Sequence, residues 1–83
     1  MASDKTVRMY YYAAFREAVG RSGEELRSAA VTAAELYDEV ALRHGFHFDR
    51  SNLRVVVNDT IVPWTAEVKD GDNVVFLAPF AGG

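Results

Sequence analysis

The sequence predicts an α+β domain: a mixed sheet of four to five strands with one main helix packed across one face. Two observations carry this. One segment repeats apolar residues at helical spacing behind a capping signal. The other apolar residues fall in short β-branched and aromatic runs separated by turn residues. A helix and a sheet with one apolar side each are stable only when they cover one another.

The elements follow in order. Val7–Tyr12 (VRMYYY) reads as a strand. With Arg8 facing water, alternation sends Val7, Met9 and Tyr11 to the core and leaves Tyr10 and Tyr12 on the outer face. Phe15–Val19 suits a helical turn stopped by Gly20, and Arg21–Gly23 a turn. Glu24–Ala30 is a weak second strand whose composition equally allows helix. Thr32-Ala33-Ala34-Glu35 is a capping box, in which the threonine hydroxyl accepts from the Glu35 N–H and the glutamate reaches back to the Thr32 N–H. Ala33, Leu36, Tyr37, Val40, Ala41 and His44 then recur at helical spacing, and Gly45 suits a left-handed C-cap with Phe46 folded back. Leu53–Val57 and Thr60–Val62 flank Asn58-Asp59, a pair that tolerates the positive φ of a tight hairpin. Asp70-Gly71-Asp72 is a turn, and Asn73–Ala78 a last strand. Leu36, Val40, Val55, Val57, Val74 and Phe76 are the expected core. Residues 79–83 (PFAGG) carry no regular-structure signal. This order is that of the β-grasp, or ubiquitin-like, fold, with the first and last strands expected side by side and parallel in mid-sheet.

Length and composition narrow the function. The 83 residues suit one domain over 1–83, with a frayed start over about 1–6 and a flexible tail over about 79–83. A net charge of -3 without a basic cluster argues against nucleic acid. No apolar run suits a membrane span or a leader, so a cytoplasmic protein is expected. With no cysteine there is no disulfide, thiolate metal site or cysteine nucleophile, and no internal thiol to intercept an activated acyl group.

Three blocks resemble the MoaD/ThiS family of small sulfur carriers: Ala13-Ala14-Phe15-Arg16-Glu17-Ala18-Val19-Gly20 after the aromatic strand, Val56-Val57-Asn58-Asp59-Thr60, and Lys69-Asp70-Gly71-Asp72-Asn73-Val74 running through Pro79 to Gly82-Gly83. The resemblance spans about Val7 to Gly83 and is nearest the small subunit of molybdopterin synthase. It departs at Ala78, where that branch usually has a proline, and at Phe80, bulkier than usual there. It implies that an adenylating, ubiquitin-activating-type enzyme (MoeB-like) uses ATP to activate the Gly83 carboxylate. The resulting thiocarboxylate would donate sulfur within a hetero-oligomer containing the large synthase subunit (MoaE-like). The chain itself would bind no cofactor and no metal. Gly82 and Gly83 form a side-chain-free rod able to thread a partner's channel. Pro79 stiffens the exit of the tail. The expected partner-binding residues are Tyr10, Tyr12, Val75 and Leu77 on the uncovered sheet face, with Arg16, Pro79, Phe80 and Ala81 at its margin.

Each feature also has a plainer reading. Gly82-Gly83 alone is a frayed terminus. His44 and His47 suggest helix-end polarity rather than a metal pair, and Glu67, Asp70 and Asp72 a solvated turn rather than a calcium loop. Tyr10–Tyr12 suggest strand packing rather than base stacking. Arg16 is either a surface charge or a contact to the activating enzyme. Trp64 is either core-edge packing or part of a partner patch. Rival functions are a carrier serving thiamine, cysteine or a specialised metabolite, a protein modifier conjugated through Gly83, and a plain binding module. A stand-alone enzyme lacks a nucleophile, base or metal set.

Overall fold

The computed structural model describes residues 4–78, and β-branched and aromatic residues recur in every strand but the second. The order is β1 (Lys5–Tyr10), α1 (Ala13–Val19), β2 (Gly23–Ser28), α2 (Ala33–His44), a 3₁₀ turn (Arg50–Asn52), β3 (Arg54–Val57), β4 (Thr60–Val62) and β5 (Asn73–Leu77). The sheet runs β2-β1-β5-β3-β4. β1 and β5 are parallel neighbours at its centre, and every other pairing is antiparallel. This is the β-grasp arrangement.

α2 begins and ends where its chemistry dictates. The Thr32 side chain accepts from the Glu35 N–H at 3.2 Å, and Gly45 takes φ 73 at the C-cap, where its N–H donates to the Ala41 carbonyl. The other half of the box differs from expectation: the Glu35 carboxylate accepts from the Val31 N–H at 2.7 Å. Val31 to Ala33 is bridged to residues 66–68, which leaves the Val31 N–H as the donor at the helix start. Two further helix-start donors, the N–H groups of Ala33 and Ala34, reach the carbonyls of Ala66 and Trp64. The loop after β4 is therefore part of the cap.

Alternation holds through the sheet. Val7, Met9, Tyr11, Leu26, Val55, Val74 and Phe76 are buried beneath Ala33, Leu36, Tyr37 and Val40 of α2. Val57 is only partly buried, unlike the other expected core residues, because it ends its strand at the β3–β4 hairpin. That hairpin turns through Asn58 (φ 52) and Asp59 (φ 71), the two left-handed residues of a type I′ turn. An aromatic cluster closes one end of the core. Phe15 meets Phe46 and Phe48 edge-on at 5.5 and 4.9 Å, and Tyr37 meets Phe76 at 5.1 Å. Such pairs add about 0.5–1.5 kcal/mol each beyond the area they bury. Trp64 packs against Tyr37 and Phe76 at the edge of the core, with Arg50 over its ring.

The structure corrects three boundaries. β1 starts at Lys5, so Lys5 and Thr6, expected to fray, pair with Ser28 and Arg27. β1 also stops at Tyr10, two residues early, because the chain turns into α1. Ala13 takes φ 49 at that turn, a conformation costing a non-glycine residue about 1 kcal/mol. The expected single turn at Phe15–Val19 is accordingly a seven-residue helix, closed by Gly20 at φ 88. Glu24–Ala30, open between strand and helix, is strand over Gly23–Ser28.

Candidate functional site

Every second residue of the strands under α2 points away from it. The pairing register aligns four such residues in one row across the sheet. Tyr10 of β1 lies opposite Val75 of β5, Val75 opposite Val56 of β3, and Val56 opposite Ile61 of β4. No described element covers the row. Tyr10, Val75 and Val56 are half-buried by their neighbours, while Ile61 is 65% exposed. With Tyr12, Asp59 and Asn73, the first three line a shallow depression of about 230 Å³. Arg8 flanks the row on one side, held by Glu25 at 2.6 Å, and the Glu25 hydrogen bond pushes the Arg8 guanidinium pKa up. Leu77, opposite Arg54, flanks it on the other.

The open face presents apolar side chains to solvent. The four-residue row is bordered by the charged Arg8 on one side and by apolar Leu77 beside Arg54 on the other. Its side chains contribute no acid–base pair or nucleophile. Among the described residues no three His, Asp or Glu side chains come together as a metal set. Tyr10, Val75 and Leu77 stand where alternation predicts. Tyr12 does not: it is the N-cap of α1 rather than a β1 residue, although at 53% exposure it still borders the depression beside Tyr10. Arg16 lies one turn further along α1, exposed, its N–H donating to the Tyr12 carbonyl. Pro79, Phe80, Ala81, Gly82 and Gly83 lie outside the described residues. Ala78, directly after central strand β5, is the last one described.

Two features escaped the sequence reading. Val56 and Ile61 complete the row. Their signal was available, since placing Val55 in the core sends Val56 outward, and a tight hairpin at Asn58-Asp59 then sets Ile61 opposite Val56. The second is a polar cluster on the covered side. Glu24 lies opposite Met9 and so points inward. It accepts from the Tyr11 hydroxyl at 2.6 Å and meets His44 Nε2 at 2.6 Å. Burial works against the Glu24 carboxylate, but the Tyr11 and His44 hydrogen bonds outweigh it and hold its pKa below the ordinary value. Burial first, then the Glu24 hydrogen bond, pushes the Tyr11 phenol far up. His44 is thereby tied to β2 rather than paired with His47. The cluster fastens α2 to β2 and to Tyr11, the residue after β1. Asp70 and Asp72, set aside as calcium ligands, instead staple their own turn: Asp70 accepts from the Thr6 N–H, and Asp72 from the Lys69 N–H and the Asn58 side chain.

The strand order and the single covering helix place the protein in the class of small ubiquitin-like β-grasp domains. Within that class the chain belongs to the ThiS family, whose model matches residues 9–83. It is 26% identical to the molybdopterin synthase sulfur carrier subunit of Haemophilus influenzae over 80 residues, covering 93% of this chain and 99% of that one. It is 29% identical to the Escherichia coli protein of the same name, with the same coverage. A chain of the Amycolatopsis orientalis BexX/CysO complex superposes with a TM-score of 0.68 at 28% identity, covering 93% of this chain and 99% of that one. Among the described residues no helix is long and apolar enough to cross a membrane.

Proposed function

We propose that this protein is a sulfur carrier whose Gly83 carboxylate is adenylated and then converted to a thiocarboxylate that donates sulfur in molybdopterin biosynthesis. The observation that carries the reading is the uncovered row Tyr10–Val75–Val56–Ile61, whose Val75 lies on β5, the strand that precedes the segment ending in Gly82-Gly83. The two curated relatives support the same reading by their names.

A carboxylate does not react with a sulfur nucleophile at a useful rate, whereas an acyl-adenylate does, because AMP leaves readily. In this reading the row docks on an adenylating, MoeB-like enzyme that uses ATP, and Gly82-Gly83 carries the carboxylate to the α-phosphate. The same face then docks on a MoaE-like large subunit, where the thiocarboxylate meets its acceptor. The catalytic side chains belong to those partners. The carrier contributes a docking face and a reach of fixed length. Removing Gly83 shortens that reach by about 3.5 Å. Misplacing a reacting group by even about 1 Å can cost on the order of 10²-fold in rate.

A second reading keeps the chemistry and changes the acceptor, and the likeness to a chain of the BexX/CysO complex favours it at comparable identity. One experiment tests both. The protein isolated from its own host is treated with iodoacetamide and its intact mass measured. With no cysteine in the chain, a thiocarboxylate is the expected site of rapid alkylation. Alkylation localised to Gly83 supports the carrier reading. An unmodified carboxylate throughout, under conditions where the pathway is active, overturns it. Loss of molybdopterin on deleting the gene, restored by the full chain but not by one lacking Gly83, assigns the acceptor.

A further inference from the structure

The two edges of the sheet are not equivalent. β4 is three residues long and is followed by Pro63, which has no N–H to offer a further strand. β2 is six residues long, and no described element pairs with its outer side. The Tyr11 N–H donates to the Ser22 carbonyl, which fixes the phase of the β1–β2 ladder. In an antiparallel pair, residues that exchange hydrogen bonds alternate with residues that do not. Glu24, Leu26 and Ser28 therefore bond to β1, while Gly23, Glu25 and Arg27 direct their N–H and C=O groups outward. Among the described residues those outward groups have no partner.

Charge on a bare edge ordinarily repels another strand. Here the charges are self-complementary. Glu25 and Arg27 stand two apart on the open face of the sheet, 61% and 75% exposed, with opposite signs. When β2 meets a copy of itself antiparallel, the register decides what the charges do. Centred on Glu25, it opposes two carboxylates, and centred on Arg27, two guanidiniums. Like charges directly opposite one another are destabilising. Centred on Leu26, it sets Glu25 of each copy against Arg27 of the other. Those are the residues whose backbone groups point outward, so each opposed pair also exchanges its N–H and C=O bonds. The charges within each chain fit the same register. Arg8 holds Glu25 at 2.6 Å and Asp4 lies 3.7 Å from Arg27. Signs therefore alternate across the joint, from Arg8 through Glu25 to Arg27 and Asp4 of the other copy.

We propose that the β2 edge is a self-association surface, on which a second copy of this chain pairs antiparallel about Leu26 to join the two five-stranded sheets into one. The two-fold axis stands normal to the sheet. The contact is isologous and closes at the dimer. Both α2 helices then lie on one side and both open rows on the other. The two β5 strands are separated by β1 and β2 of each copy, so the rows face the same way roughly 24 Å apart. A partner with two matching surfaces would hold both at once and gain by avidity. The inference does not depend on the sulfur-carrier reading.

The test uses the full chain. Sedimentation equilibrium over a concentration series reaching about 1 mM should show the mass rising from one chain to two and no further. Over the same series, amide hydrogen exchange should slow at Glu25 and Arg27 but not at Ile61 on the other edge. Glu25→Arg and Arg27→Glu should each weaken the dimer by at least about tenfold in Kd, because each turns both opposed pairs into like charges. An equimolar mixture of the two variants should recover it, as should both substitutions in one chain. Such recovery also shows that the single variants are folded. Protein that stays monomeric with unchanged exchange would overturn the proposal and leave the edge to an extended segment of a different protein. A dimer indifferent to the charge changes, or single variants that do not recover on mixing, would overturn the register about Leu26. Protection appearing at Ile61 instead would move the contact to β4 and overturn the assignment.

Discussion

The two faces of the sheet share strands and residue types yet differ in role. Under α2, Val7, Met9, Val55, Val74 and Phe76 are almost wholly buried. On the reverse, Tyr10, Val75, Val56 and Ile61 come from the same strands, with the same taste for β-branched and aromatic side chains, but are covered by nothing described. Strand propensity therefore does not distinguish them, and only the placement of the helix does. The covered face converts apolar area into stability. The open one leaves apolar area exposed, which in the proposed function serves for docking.

Substitutions should separate the faces. Phe76→Ala removes a ring packed against Phe15, Tyr37 and Trp64 and should cost about 3–5 kcal/mol by urea denaturation. A loss below about 1 kcal/mol would show that the covered face is not the structural one. On the open face, Leu77→Asp should weaken docking to the adenylating partner by about 2 kcal/mol, roughly 30-fold in Kd by calorimetry. Stability should move less than binding, by about 1 kcal/mol, since Leu77 is 36% exposed and Asp can face Arg54.

The Glu24 cluster tests the covered face by pH. The folded-state pKa of Glu24 is depressed, so its contribution is present above the ordinary glutamate range and is lost as pH falls through the folded value. Wild-type stability should therefore drop more steeply below about pH 4.5 than that of Glu24→Gln. At neutral pH that variant should lose about 1–2 kcal/mol with the charged hydrogen bonds to Tyr11 and His44. Parallel pH profiles would remove Glu24 from the account. The smallest effect is expected where the faces meet. Tyr12 caps α1 without a side-chain hydrogen bond. Tyr12→Asp offers the missing acceptor, so thermal unfolding should show a gain of about 0.5–1 kcal/mol while docking weakens. Stability and binding falling together would mean that Tyr12 belongs to the core.

What the sequence determined was local. Thr32 and Gly45 delimit α2, Asn58-Asp59 makes the hairpin, and period-two alternation sorts the inward and outward residues of β1 and β5, because each rests on neighbours a few positions apart. The tertiary structure decided the rest. Propensity alone would carry β1 through Tyr12, but its end is set where the Tyr11 N–H meets the Ser22 carbonyl and Ala13 turns the chain into α1. Glu24 reads as an ordinary strand charge until β2 pairs with β1 and α2 brings His44 over it. Val56 and Ile61 join Tyr10 and Val75 only through the register of four strands. Long-range pairing chooses which short-range preferences become neighbours, and the apolar row exists only at that level.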